Sequence, residues 1–121
     1  MTDLLITLTQ KEDNENNVTI AFTMGNMALS KGYSVSLILL SNAVHLAERG
    51  YGDKINIGEP FRPVADLIPE FIAQGGKILV CSACMKHNGV SEEDLMEGTE
   101  IITAEDVITN IMESKKSLQL N

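Results

Sequence analysis

Cys81 and Cys84, in the stretch "KILVCSACMKHNGV", are the two cysteines of a 121-residue chain. They stand three apart at the end of an apolar run. Thiols at that spacing serve dithiol redox chemistry, sulfur carriage, metal binding or plain packing. The run "KILVC" predicts a central strand that ends on Cys81, and the residues after it predict the start of a helix. A helix start carries about half a positive charge, a field that favours the reactive thiolate. Lys86, one turn on, is a candidate to add to that field. Side chains at i and i+3 of a helix lie about 5–6 Å apart at Cβ, close to disulfide reach. Cys84 is therefore a candidate resolving thiol, or a second group to hold a transferred sulfur.

Other chemistries find fewer residues. A closed zinc site needs four ligands. Cys81, Cys84 and His87 offer three, and no second C-x-x-C exists. His87 reads as a polar residue at a helix end rather than a general base, and His45 as packing beside its own short helix. "TQKEDNENN" follows the first strand where a Gly-rich phosphate loop would stand, which argues against a nucleotide enzyme. No G-x-S-x-G elbow is present.

The formal net charge of −8 argues against nucleic acid as a partner, because phosphate binding needs lysine and arginine. The acidity reads as a device for solubility. "MTDLLITLTQ" lacks the basic and small-residue features of a signal peptide. The longest apolar run, Val35 to Leu40, is too short to span a bilayer. The expectation is a cytoplasmic protein with reduced thiols and no membrane contact.

The elements that must position the cysteines alternate down the chain. "DLLITL" predicts a first strand. The polar loop after it offers Asn and Asp as helix caps. Val18, Ala21, Phe22, Ala28 and Leu29 recur at helical spacing up to Gly32. Met24 and Met27 on that helix read as core or subunit contacts. "YSVSLILL" predicts the second strand, followed by a short helix capped by Ser41 or Asn42. After a long loop, "VADLIPEFIAQGG" predicts a third helix. There Pro69 fits only in the first turn, with Asp66 as the cap, or at a kink. "VSEEDLMEG" predicts a helical turn and "EIIT" a strand. The last helix is capped by Thr103 with Asp106 and presents Val107, Ile108, Ile111 and Met112 on one face. "SLQLN" is read as an edge strand or a loose tail. This alternation predicts one α/β domain over residues 1–121, with a mainly parallel sheet and helices on both faces. In such sheets sites form outside the carboxyl ends of the strands, where Cys81 is placed.

With these residues in view, the sequence resembles the DsrE/DsrF-like family of small sulfur-relay proteins. The resemblance covers nearly the whole chain. It runs through the first strand, "ALSKGYSVSLILL" and "GEPFRPVADLIPEFIAQGGKILVCSACMKHNGV". Its most specific part is the strand-Cys-helix-Gly pattern from Ile78 to Gly89. Cys84 resembles the second cysteine of a C-x-x-C subset, and Asn88 stands where many members carry an arginine. The resemblance implies a flavodoxin-like three-layer α/β fold and a Cys81 that takes sulfur as a persulfide and passes it on. It further implies sulfur donor and acceptor proteins as partners, no organic cofactor, and assembly into homo-oligomers, trimers or hexamers. Beside the relay stand two other readings: a dithiol redox protein cycling Cys81 and Cys84, and a non-catalytic oligomeric module with inert thiols.

Overall fold

A computed structural model describes residues 2–121. Five parallel strands form one sheet: β1 (Leu4–Leu8), β2 (Val35–Leu39), β3 (Lys77–Cys81), β4 (Thr99–Ile102) and β5 (Lys116–Leu120). Their order is β4-β3-β2-β1-β5. The register sets Leu4 against Val35 and Lys116, Ser36 against Lys77, and Cys81 against Ile102. "SLQLN" is thus an edge strand, paired with β1.

The order of the strands fixes the layers. The chain steps from β1 to β4 in one direction across the sheet and returns once, to β5. Right-handed crossovers put connections made in one direction on one face and the return on the other. Accordingly α1 (Glu15–Ser30), α2 (Val64–Ala73) and the buried side of α3 (Ser82–Asn88) share one face. On the opposite face α4 (Ala104–Glu113) packs through Val107 and Ile111. The result is a three-layer, flavodoxin-like α/β fold.

Strand residues alternate between two cores. Ile6, Leu37, Ile78 and Val80 face α1 and α2, while Leu5, Ile38, Leu79 and Cys81 face α4. On the α1/α2 side, Phe22 and Phe71 meet edge to face with ring centroids 5.7 Å apart. A Cβ on Gly25 would come within 2.7 Å of the Phe71 ring, and one on Gly76 within 2.6 Å, so only glycine lets these elements close on it.

Local signals set most boundaries. Asn14 caps α1, its side chain accepting from the Asn17 N–H at 3.1 Å. Thr103 and Asp106 form the reciprocal capping box of α4, each side chain accepting from the other's N–H at 3.1 Å. Three expectations need correction. Residues Ser41–Ala47 form a 3-10 helix, in which Leu40 holds the cap position and neither Ser41 nor Asn42 caps it. Pro63, not Asp66, precedes α2, and Pro69 lies inside that helix on its exposed side. The buried stripe Val64, Leu67, Ile68 and Phe71 holds α2 together despite the missing N–H. Finally, of the two readings of Met24 and Met27, core or subunit contact, the core one fails: they are 44% and 54% exposed. Ile108 and Met112 are exposed too, so α4 turns only Val107 and Ile111 inward.

Candidate functional site

Cys81 ends β3, an interior strand, and occupies the cap position of α3. The backbone stays extended at Cys81 (φ −70°, ψ 119°) and turns helical at Ser82. Strand parity aims the side chain at the α4 face, among Leu79, Ile38, Ile102 and Val107. It is 4% exposed. Cys84, one helical turn on, is half-buried and touches both cores. Both are free thiols. Sequence spacing and structure therefore agree in bringing the two together, and the more open sulfur is that of Cys84.

Burial pushes the Cys84 thiol above the ordinary thiol range, and the neighbouring Cys81 sulfur adds to the rise. The backbone of Ser41 works the other way. Ser41, separated from the end of β2 by Leu40 alone, holds a left-handed conformation, φ 54°, the one non-glycine residue with positive φ among the described residues. Such backbone costs of order 1–3 kcal/mol and persists only where its surroundings enforce it. Asn88 supplies part of that enforcement. Its Nδ2 donates to the Cys84 carbonyl at 2.9 Å and to the Ser41 carbonyl at 3.3 Å. The amide thus locks the last turn of α3 to the loop after β2, before Gly89 ends the helix in a left-handed turn (φ 72°).

A second tether fixes the 3-10 helix that starts at Ser41. Met96 N–H donates to the Ala47 carbonyl at 2.8 Å, and Arg49 Nη1 donates to the Leu95 carbonyl at 3.0 Å. Sequence reasoning missed Ser41 and Asn88 as parts of the site. The substitution-like position of Asn88 before Gly89 was the signal for one. Nothing in "LLSNA" betrays the left-handed Ser41.

Lys86 and His87 sit in the last turn of α3, exposed and at the far end of the helix from Cys81. Among the described residues no three His, Cys, Asp or Glu side chains converge as metal ligands, so His87 does not join the cysteines. His45 packs beside its own helix as expected: its Nδ1 lies 2.9 Å from Glu48 Oε1, and its ring stacks on Tyr51 at 5.4 Å. Tyr51 in turn donates to Glu12 at 2.8 Å, with Lys54 over its ring at 4.6 Å. This network braces the loop after β1. No helix among the described residues is long and apolar enough to cross a membrane.

What the arrangement can do is thiol exchange. A strand-end sulfur has a second sulfur beside it, neither is spent in a disulfide, and both sit at the edge where parallel sheets carry sites. The sequence profile of the DsrE/DsrF-like family matches residues 3–120. Among curated proteins, an uncharacterized protein of Methanopyrus kandleri is 31% identical over 87 residues, 72% of this chain and 68% of that one. An uncharacterized protein of Methanocaldococcus jannaschii is 34% identical over 87 residues, 72% of each. Among solved structures, the ychN protein from E. coli superposes with a TM-score of 0.73 at 22% identity, covering 98% of this chain and 99% of that one. A protein of unknown function from Methanobacterium thermoautotrophicum follows with a TM-score of 0.70 at 15% identity and 96% coverage of both. At these identities the two structures speak for the fold.

Proposed function

The chain belongs to the DsrE/DsrF-like family, and from that premise we propose that it relays sulfur as a persulfide on Cys81. The observation that carries the reading is a free cysteine at the tip of an interior parallel strand with a second free thiol one helical turn away. In the loading step, the Cys81 thiolate attacks the outer sulfur of a donor persulfide, R–S–SH. A Cys81 Sγ–S bond forms, the donor S–S bond breaks, and the donor leaves as R–S⁻. In the unloading step, an acceptor thiolate attacks the outer sulfur of Cys81–S–SH and releases the Cys81 thiolate. Each step moves one sulfur atom and leaves the overall oxidation state unchanged.

With 4% of its surface open and its side chain turned to the α4 face, Cys81 is reached when α4, its cover on that side, shifts aside. Donor and acceptor are proteins with thiols of their own, the setting is a reducing cytoplasm, and the relay works within a homo-oligomer. No organic cofactor takes part in either step.

The nearness of Cys84 favours a second reading, a dithiol cycle. Cys84 thiolate attacks the Cys81 sulfur of the persulfide, forms the Cys81–Cys84 disulfide and expels HS⁻. The carried sulfur is reduced while two thiols are oxidised, and a partner dithiol resets the pair.

Glutathione persulfide separates these outcomes. Under the relay, intact mass shows one added sulfur, peptide mapping places it on Cys81, and Cys84→Ser still loads and unloads. Under the dithiol cycle, Cys84→Ser traps the persulfide and releases no sulfide. Loading of Cys81→Ser to the level of the parent removes both.

A further inference from the structure

Among the described residues, five large apolar side chains lie open to solvent: Met24, Met27, Tyr33, Ile108 and Met112. They form two groups. Met24, Met27 and Tyr33 line an apolar groove of about 580 Å³ between α1 and the edge strand β5. Ile108 and Met112 stand one turn apart on the outer side of α4, on the other face of the sheet. Apolar clusters of this kind mark contact surfaces.

Their charges are opposite. Lys31, Lys115 and Lys116 stand around the groove. Lys115 is paired with Asp3 at 3.0 Å, while Lys31 and Lys116 have no ion-pair partner among the described residues. The stretch 91–114, which contains α4, carries carboxylates throughout and no lysine or arginine. Glu105 lies one turn before Ile108 on the same stripe, and Glu113 flanks Met112.

We propose that the groove between α1 and β5 takes the outer face of α4 from a second copy of this chain. The contact is head-to-tail. Ile108 and Met112 enter the groove beside Met24, Met27 and Tyr33, and Glu105 and Glu113 meet Lys31 and Lys116. A two-fold contact of groove on groove would set lysines against lysines, and one of α4 on α4 would set carboxylates against carboxylates. Like charges brought together cost several kcal/mol, so both symmetric pairings are selected against. The head-to-tail contact alone covers both apolar groups and neutralises both charge sets. Because the two faces lie on different sides of each molecule, repetition of the contact builds a ring where the rotation closes. The inference rests on the homo-oligomer proposed above and says which surfaces make it.

Analytical ultracentrifugation of charge-reversed variants tests this. Lys31→Glu/Lys116→Glu breaks the groove, and Glu105→Lys/Glu113→Lys breaks the α4 face. Each weakens association about a hundredfold, while circular dichroism and persulfide loading stay at parent levels. Mixing the two variants sets the native groove against the native α4 face in one combination and the reversed groove against the reversed face in the other, so opposite charges meet in both. The mixture therefore assembles with the two variants alternating, where neither variant assembles alone. In a Cys81→Ser/Cys84→Ser background, Met27→Cys protein cross-links to Met112→Cys protein. Met112→Cys chains that cross-link to each other instead, or a groove variant that assembles like the parent, overturn the interface and leave the homo-oligomer standing. A parent that sediments as a monomer overturns both, and decanoate binding in the groove of such a monomer would assign it to a small amphipathic anion.

Discussion

The two faces of the sheet are built to different standards. On the α1/α2 side, Phe22 and Phe71 lock edge to face, and glycines at 25 and 76 let backbone close directly on the Phe71 ring. On the α4 side, the core is Leu5, Ile38, Leu79, Cys81, Ile102 and Val107, with no aromatic ring and one helix as cover. The thick side holds the fold. The thin side holds the thiol. Sulfur exchange needs a cover that opens at low cost, and regions with few buried apolar contacts open first. The strand order explains why the asymmetry arises: three crossovers in one direction leave a single return helix for the other face.

Truncation on each side should expose the difference most sharply. Phe71→Ala should cost about 3–5 kcal/mol of unfolding free energy by denaturant titration, because the ring fills space shared by α1, α2 and the turn before β3. Leu79→Ala, on the α4 side, should cost about 2–3 kcal/mol, since a single helix can settle toward the gap. Equal losses would mean that the α4 side is as rigid as the other. A smaller and more local effect is expected from Thr103→Ala, which removes half of the capping box of α4. Stability should fall by about 1 kcal/mol, and a thiol reagent should label Cys81 faster as α4 frays. Labelling at the parent rate would show that α4 does not gate the sulfur.

The smallest effect is a pH dependence. Burial raises the Cys84 thiol in the folded state, so the folded chain keeps this proton when the unfolded chain has lost it. The unfolded state then binds fewer protons, and stability falls as pH rises through the ordinary thiol range, having been flat below it. Unfolding of the parent and of Cys84→Ala across that range should differ in slope, the parent losing more. Matching slopes would place Cys84 in solvent.

The sequence carried the positions of the first four strands, the Thr103 cap and the nearness of the cysteines, and left the last segment open between an edge strand and a loose tail. Apolar runs, capping residues and i, i+3 spacing are local signals, and the parallel sheet follows from their alternation. Which face Cys81 joins was not legible. It depends on strand parity relative to a crossover direction that no stretch of sequence states. Whether Met24 and Met27 lie in the core or at a subunit contact stayed open for a similar reason: helical periodicity finds one buried stripe and says nothing of what a neighbouring edge strand leaves uncovered. Ser41 read as a cap because serine after a strand commonly is one, yet here the Asn88 amide, reaching from another element, holds its carbonyl. Pro69 read as a first-turn residue or a kink because local rules place proline there, and the buried stripe of α2 carries the helix through it.

β1 is the earliest of the five strands to leave the ribosome and β5 the latest, yet they lie side by side. Throughout synthesis one flank of β1 stays bare, a ladder of unmet backbone groups open to any passing extended segment. A nascent chain stalled ahead of Lys116 carries that raw flank, so the final strand acts as the clasp that ends a hazardous adolescence.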